Sequence, residues 1–370
     1  MRAIHVEETP GGLTLTPGSA SRQQPGPSDL VVRVFAAGVT PTELLWYPTS
    51  HTKSGETRTA AIPCHEFSGV IEDVGEDVGH LEIGMEVFGM NDWFADGALA
   101  DYCLTPFSSV APKPLNLTHA EAASVPIGAL TAWQGLFDRA DLQPGERVLV
   151  HGGAGSVGLY AVQLAAYRGA HVIATASDRN LEFVASLGAG QVIDYQASRF
   201  EDLIASVDVV FDTVGGETLD RSWGVLKSGG RMVTIAANGE AASEERVKQA
   251  FFIVEPNQKQ LSQIAALLDA GKLRAIVDAS VPWSDAVGAF AGRVRRSGRG
   301  KVVVTVADWP IESTDLGQVR DRLELLAYRM WQDRGSPLGS PEVDWFRAAE
   351  KLRREEEHKP VASMAASSSE

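Results

Sequence analysis

The feature that most constrains this chain is the string Gly153-Ala154-Gly155-Ser156-Val157-Gly158, which follows the apolar run Val148-Leu149-Val150 directly and opens a helical stretch ending near residue 167. A chain leaving a strand and entering a helix over so few residues needs positions without a Cβ. In that setting the first glycine permits the tight turn, the second lets a pyrophosphate approach the backbone, and the third lets helix and strand pack closely. The helix start then presents unbonded amide hydrogens and partial positive charge to phosphates. Glycines in such a turn can also serve packing alone, and the string without its context is weak. Its place between a strand and a helix favours a dinucleotide site.

The surrounding pattern supports that setting. Apolar runs of strand length at 147–151, 171–176, 191–195, 207–213 and 231–236 alternate with helical stretches ending near 168, 187 and 227 and one near 199. Short β runs separated by helices predict a parallel sheet covered on both faces, a doubly wound α/β domain. Residues 1 to about 120 read differently, with short alternating runs such as Leu30-Val31-Val32-Arg33-Val34 broken by Gly and Pro, and are expected to be mostly β. After a helix over 258–270 closed by Gly271, strand-like text returns at 273–281 and 301–306, so the β domain is expected to reclaim the chain. Farther on, Leu316, Val319, Leu323, Leu326 and Met330 repeat at spacings of three and four. Gly335 can cap that helix, and Ser340-Pro341 can start a second one carrying Trp345, Ala349 and Leu352. Two such helices bury Trp331 and Trp345 poorly by themselves, which implies docking on the core or on a partner. The Ala/Ser-rich end from 363 is expected to be disordered.

Bulk properties exclude several classes. With 370 residues and 44% hydrophobic content the chain can bury a substantial core. A formal charge of −15 repels a phosphate backbone and argues against nucleic-acid binding. Cys64 and Cys103 are too few for a disulfide framework or a four-thiolate metal site, and fit a reducing compartment. There is no apolar leader and no run of roughly 18 apolar residues to cross a membrane. The expected location is cytoplasmic.

Cofactor choice is read where the second strand of the α/β domain ends. An NAD enzyme usually places Asp or Glu there for the ribose 2′-hydroxyl. This chain has Ser177-Asp178-Arg179. Ser177 and Arg179 suit a 2′-phosphate, the arginine through a bidentate charge-assisted contact, so NADP(H) is expected. Asp178 opposes that reading, since its carboxylate turned toward the ribose would select NAD(H), and Arg179 alternatively sits solvated in a first helical turn.

At this point the chain resembles the medium-chain dehydrogenase/reductase superfamily, within it the zinc-independent NADPH:quinone oxidoreductase and enone reductase group. The markers, in order, are Gly38-Val39-Thr40-Pro41-Thr42-Glu43, His65-Glu66-Phe67-Ser68-Gly69, Gly128-Ala129-Leu130-Thr131-Ala132-Trp133, the glycine turn, Val192-Ile193-Asp194-Tyr195, Phe211-Asp212-Thr213-Val214-Gly215-Gly216 and Gly300-Lys301-Val302-Val303. The resemblance runs from about residue 1 to 306. It implies a GroES-like β domain (1–121 and 272–306) clasping a Rossmann NADP-binding domain (122–271); beyond it, the residue pattern predicts a helical hairpin (307–358) and a disordered tail (359–370). It implies NADPH contacts from Pro41, Thr42, Thr131, Gly153, Ala154, Gly155, Ser156, Val157, Gly158, Ser177, Arg179, Tyr195 and Val214. It also implies contacts from a strand Phe251-Phe252-Ile253-Val254 beside the nicotinamide, and homodimerisation through the Rossmann sheet edge. The segment 328–350 is similar to a small bacterial module of unknown function.

Departures from the family pattern bear on mechanism. Zinc alcohol dehydrogenases of the superfamily carry a Cys ligand where this chain has Thr40, and another ligand in the region 126–132, which here contains no Cys, His or Asp. His65 is one good ligand and Glu66 a doubtful second, so the pair reads as structural and no metal is expected. Without a Lewis acid an isolated carbonyl is a poor hydride acceptor, whereas a quinone or α,β-unsaturated carbonyl spreads the incoming charge to an oxygen that hydrogen-bond donors can stabilise. The expected pocket is lined by Trp46, Tyr47, Asn91, Trp93, Phe251 and Phe252, with Tyr47, Asn91 or a water as the donor. His5, His80, His119 and His171 read as surface or strand residues. Arg293, Arg295, Arg296, Arg299 and Lys301 form one basic patch, either an anion or cofactor contact or a solvated helix end. The alternatives to a quinone or enone reductase are a zinc-dependent alcohol dehydrogenase and a non-catalytic NADPH-binding redox sensor or scaffold.

Overall fold

The computed structural model describes residues 1–9, 12–79, 81–236, 244–307, 316–334, 347–348 and 351–352. Met1–Pro310 and Ile311–Glu370 form two compact units. Within the first, a hairpin of β1 (Arg2–Thr9) and β2 (Gly12–Ser19) precedes β3 (Asp29–Gly38), β4 (Glu66–Val74), β5 (Glu86–Met90), β6 (Tyr102–Pro106) and β7 (Val110–Pro112). Then come β8 (Arg147–Val150), β9 (His171–Ala176), β10 (Gln191–Asp194), β11 (Val207–Asp212) and β12 (Leu226–Thr234). The chain finishes this unit with β13 (Val277–Pro282) and β14 (Lys301–Thr305).

The first five and last two of these strands after the hairpin build one sheet in the order β13-β14-β3-β4-β5-β7, with β6 on β3. The late strands therefore return to the early sheet, β14 running antiparallel to β3 through Val303↔Gly38 and Thr305↔Ala36. β3 is buried along nearly its whole length and β4 over its first half, and both contribute to a shared core around Leu30, Val32, Phe67 and Ile71. The middle strands form an all-parallel sheet, β10-β9-β8-β11-β12. Its strands β8 and β11 are buried almost throughout, as a sheet with helices on both faces requires. The helix Gly158–Tyr167 is buried from Gly158 to Ala165.

Local chemistry explains the turn between β8 and that helix. Gly152 takes φ +73°, in the left-handed region, and a Cβ on Gly158 would fall 2.1 Å from the Gly152 carbonyl oxygen. Neither position tolerates a side chain.

The structure departs from the sequence expectation in three places. β12 begins at Leu226, not 231, because Gly229 at φ +75° absorbs a register shift between Val207↔Leu226 and Val209↔Arg231. The stretch near 199 is only a 3₁₀ turn, Phe200–Asp202. The segment 251–254 is not a full strand: it touches the sheet through the single bridge Thr234↔Phe251 before Pro256 ends any ladder.

In the second unit Leu316–Asp333 is one helix, with Leu323 and Ala327 buried and Leu325 and Tyr328 exposed. Ala348 and Leu352 are also buried. Gly335, Ser340-Pro341, Trp345, Ala349, the tail 359–370 and His80 lie outside the described residues.

Candidate active site

All five strands of the parallel sheet point their carboxyl ends at one edge, which is where ligands of such sheets sit. The glycine turn follows β8, Ser177 follows β9, Tyr195 follows β10 and Val214 follows β11. The amide hydrogens of Ser156 and Val157 have no backbone acceptor among the described residues. Buried Asp212 shapes the next turn: its carboxylate accepts the Val214 amide at 3.0 Å and the Gly215 amide at 3.0 Å, and also takes the Thr234 hydroxyl. Val214, Tyr195 and Ile253 are each about half exposed, an unusual fate for apolar side chains along a sheet edge. Such exposure at a concave edge suits a flat ligand laid across it.

At the far end of this edge lies a groove of about 590 Å³ lined by Asp178, Arg179, Leu181, Glu182, Phe183, Ser186 and Arg299. The Arg299 guanidinium stacks 4.9 Å over Phe183 and donates to Asn180 Oδ1 and to the Arg179 carbonyl, both at 2.8 Å. Asn180 Nδ2 in turn donates to Ser177 Oγ at 3.3 Å. Thus Asp178, Arg179 and Arg299 line one groove, and Ser177 is tied to it through Asn180. Arg299 lies in the loop after the helix Ala286–Phe290, not at a helix end. Of the two readings of the basic run, an anion or cofactor contact or a solvated helix end, neither points to Asn180, which is 119 residues away in sequence. Gly152, one residue before the Gly153–Gly158 string, supplies the positive φ of the turn.

Nearer the β domain, the charged or polar side chains of Thr40, Glu43, His65, Glu66 and Lys301 occupy the place where a metal would be sought. Glu43 is fully buried on the 3₁₀ turn Pro41–Leu45. It accepts the Cys64 amide at 2.9 Å and pairs with His65 Nδ1 at 2.6 Å. Cys64 sits at φ +68°, a conformation costing a non-glycine residue roughly 1–2 kcal/mol, and the Glu43 bond offsets part of that cost. His65 Nε2 contacts the Ala95 carbonyl at 3.2 Å. Glu66 receives the Lys301 ammonium on Oε1 and the Ile127 amide on Oε2 at 2.9 Å. Lys301 also donates to Thr40 Oγ1 at 3.1 Å. Burial raises the Glu66 carboxyl above its ordinary range, opposed by the Lys301 charge and hydrogen bond. Burial, with Glu43 and Glu66 nearby, pushes the Cys64 thiol up as well and leaves it inert.

A catalytic zinc takes about three protein ligands. Among the described residues no group of three or more His, Cys, Asp or Glu converges on one point, and His65, Glu66 and Thr40 are each engaged by protein partners. The donor set does not fit the metal.

Two indoles lie where the β domain meets the 251–254 segment. Trp93 Nε1 donates to the Val254 carbonyl at 3.1 Å, a bond spanning 161 residues that ties the β domain to the 251–254 segment. Trp46 meets Trp93 edge-on at 4.7 Å, and the His65 ring lies 5.1 Å from it. Tyr47 is exposed, stacked on His51 at 4.4 Å, and its hydroxyl has no partner among the described residues.

Several expected site residues are turned elsewhere. Asn91 is wholly buried, and its amide hydrogens are spent on the Asp96 carbonyl at 2.8 Å, Cys103 Sγ at 3.1 Å and the Leu104 carbonyl at 3.2 Å, so it does not serve as the donor. Phe252 is buried with the Arg139 guanidinium 5.3 Å over its ring, and Val254 is buried, which leaves Ile253 as the open residue of that segment. Thr131 spends its hydroxyl on the Ile127 carbonyl at 2.6 Å. Pro41 and Thr42 are exposed beside Thr40. His119, expected at the surface or in a strand, instead opens the helix His119–Ala123 and is buried against Ser68 Oγ at 2.8 Å.

Comparison with known proteins agrees with this architecture. Residues 26–115 match the alcohol dehydrogenase GroES-like domain, residues 187–304 the zinc-binding dehydrogenase family, and residues 318–354 a family described only as a protein of unknown function (DUF2934). A probable zinc-binding oxidoreductase, mitochondrial, of Arthroderma benhamiae is 32% identical, over 82% of this chain and 96% of its own. A 2-methylene-furan-3-one reductase of Solanum lycopersicum is 34% identical, over 74% of this chain and 71% of its own. The solved quinone oxidoreductase of Coxiella burnetii superposes with a TM-score of 0.72 at 29% identity, over 83% of this chain and 99% of its own. No helix among the described residues is long and apolar enough to cross a membrane. From the paired sheets, the glycine turn and these relatives, the chain belongs to the medium-chain dehydrogenase/reductase superfamily and is an oxidoreductase of that type.

Proposed function

We propose that the protein transfers hydride from NADPH to a quinone or α,β-unsaturated carbonyl without zinc. The observation that carries this reading is the placement of Arg179 and Arg299 in one groove at the end of a dinucleotide-type sheet edge, with Ser177 joined to them through Asn180. Fit to the dinucleotide is supported by the cradle itself: amides at Ser156 and Val157 without a backbone acceptor among the described residues, on a turn whose Gly155 is exposed. Those amides and the turn would hold the pyrophosphate, the two arginines and Ser177 the 2′-phosphate, Tyr195 and Val214 the adenosine and ribose side, and Ile253 the nicotinamide side. A bound nicotinamide supplies the hydride.

The rest is the work of this chain's own groups. Lys301 engages Thr40 and Glu66, and Glu43 engages His65, so no Lewis acid polarises the acceptor and only an acceptor that delocalises charge is competent. The indoles of Trp46 and Trp93 exclude water and favour a flat, conjugated substrate. Tyr47, with an unengaged hydroxyl at the mouth, is the donor to the developing oxyanion, directly or through a water. The names of two similar proteins, a 2-methylene-furan-3-one reductase and a quinone oxidoreductase, support the same acceptor chemistry.

The test is NADPH oxidation by chelator-treated protein with a panel of quinones, enones and saturated aldehydes, together with NADP+ reduction by alcohols. Turnover of the conjugated acceptors, unchanged by added zinc, is expected. Activity only on alcohols or aldehydes after zinc is restored would sink the proposal.

A further inference from the structure

The loop that carries Arg299 is held by one carboxylate. Asp278, on β13, has a side chain with no exposure. Its Oδ1 accepts the Ser297 amide at 2.7 Å, the Ser297 hydroxyl at 2.7 Å and the Gly298 amide at 3.2 Å, while Oδ2 pairs with Arg296 Nε at 3.0 Å. Two residues on, the Gly300 amide donates to the Ala154 carbonyl of the glycine turn at 3.0 Å. Arg299 is therefore fixed on both sides before it reaches Asn180 and the Arg179 carbonyl. Gly298, at φ +79°, passes so close to the neighbouring guanidinium that a Cβ there would lie 3.1 Å from Arg179 Nη2. Asp278 thus holds residues 296–298 by hydrogen bonds, and the next residue in the chain, Arg299, is hydrogen-bonded to Asn180, which in turn donates to Ser177 Oγ beyond the other sheet.

We propose that Asp278 is a positioning residue for cofactor selection: its clasp on residues 296–298 seats Arg299 against Arg179 and Asn180, and so shapes the groove for the 2′-phosphate of NADPH. The β domain thereby takes part in choosing the dinucleotide, although every residue that the sequence marks for that choice belongs to the Rossmann sheet. This inference rests on the NADPH reading above and adds to it a residue that touches no cofactor. Its chemical basis is that a charge-assisted contact depends steeply on placement, whereas the rest of the dinucleotide, common to NADH, is bound by the glycine turn and the sheet edge.

The experiment is a titration of the full chain with NADPH and with NADH, comparing wild type, Asp278→Asn, Arg299→Met and the double variant. Wild type is expected to bind NADPH more tightly than NADH. Asp278→Asn should weaken NADPH about tenfold, the size of one lost charged hydrogen bond, with NADH unchanged. In the Arg299→Met background the same replacement should change NADPH binding less than twofold, because Asp278 acts through Arg299. Ser297→Ala, which keeps the carboxylate and removes one donor, gives a smaller NADPH-only shift and serves if Asp278→Asn does not fold. Equal weakening of both dinucleotides, or an undiminished Asp278 effect without Arg299, would overturn the positioning role while leaving the NADPH reading intact. A wild type that binds NADH as tightly as NADPH would overturn that reading itself.

Discussion

The Lys301 ammonium reaches Thr40 Oγ1 at 3.1 Å and the Glu66 carboxylate at once, joining β14, β4 and the turn at residue 40 in a single buried contact. Both charged side chains are almost entirely out of water. Removing one partner from such a pair leaves an uncompensated charge, so Lys301→Met should destabilise the protein by about 3–5 kcal/mol. The double variant with Glu66→Gln, which keeps an acceptor for the Ile127 amide, should recover much of that loss. In Lys301→Met alone the penalty eases as pH falls, because the raised carboxyl of Glu66 takes up a proton more readily folded than unfolded. Urea unfolding of the three proteins at two pH values checks all of this.

The NADPH reading makes Arg179 and Ser177 separable. Arg179→Ala should raise KM for NADPH about 10- to 100-fold, the worth of a charged contact, and leave KM for NADH nearly unchanged. Ser177→Ala should give a smaller shift in the same direction. Asp178→Ala should move the preference further toward NADPH, since that carboxylate lines the same groove. Initial-rate measurements with both dinucleotides decide the matter.

Tyr47 and Asn91 are alternative donors on the sequence alone, and their surroundings distinguish them. Tyr47→Phe should lower kcat on an enone about 10²-fold with KM for NADPH unchanged. Asn91→Ala should instead lower stability, because it strips donors from the Asp96 and Leu104 carbonyls. Paired kinetics and thermal unfolding on the two variants separate the roles.

Two buried histidines give the protein a specific acid response. Burial takes His119 down to about 3 and His151 down to about 4, from an ordinary value of 6.5. Both are neutral when folded and charged when unfolded between those limits, so their stabilisation is present above pH 6.5 and is lost progressively as pH falls toward 4 and then 3. Each contributes a slope of about 1.4 kcal/mol per pH unit inside its window. His119→Gln should flatten the stability profile below pH 6.5 by about that slope, measured by urea midpoints at steps of pH.

How much of this was legible in the sequence follows from how local each signal is. The glycine turn, the β8 to β11 strands and Ser177 depend on neighbours a few residues away, and strand periodicity and turn chemistry read those directly. The start of β12 was misplaced because a glycine bulge breaks the period it would be read by. Asn91 looked like a cleft donor because it adjoins Trp93, yet its burial and three acceptors come from β6 and the turn at residue 96, which no spacing reveals. Lys301 read as part of an exposed basic run, while its partners Thr40 and Glu66 lie 261 and 235 residues away. Long-range pairing of that kind is what the sequence does not display.

The central claim is hydride transfer from NADPH to a conjugated acceptor by a protein without metal. It is tested most directly by single turnover of chelator-treated protein with NADPH deuterated at C4 of the nicotinamide and an α,β-unsaturated ketone, followed by mass spectrometry and NMR of the product. The account predicts one deuterium at the carbon β to the carbonyl, from one face of the ring, with no dependence on added zinc. Deuterium at the carbonyl carbon, or product only when zinc is supplied, would contradict it.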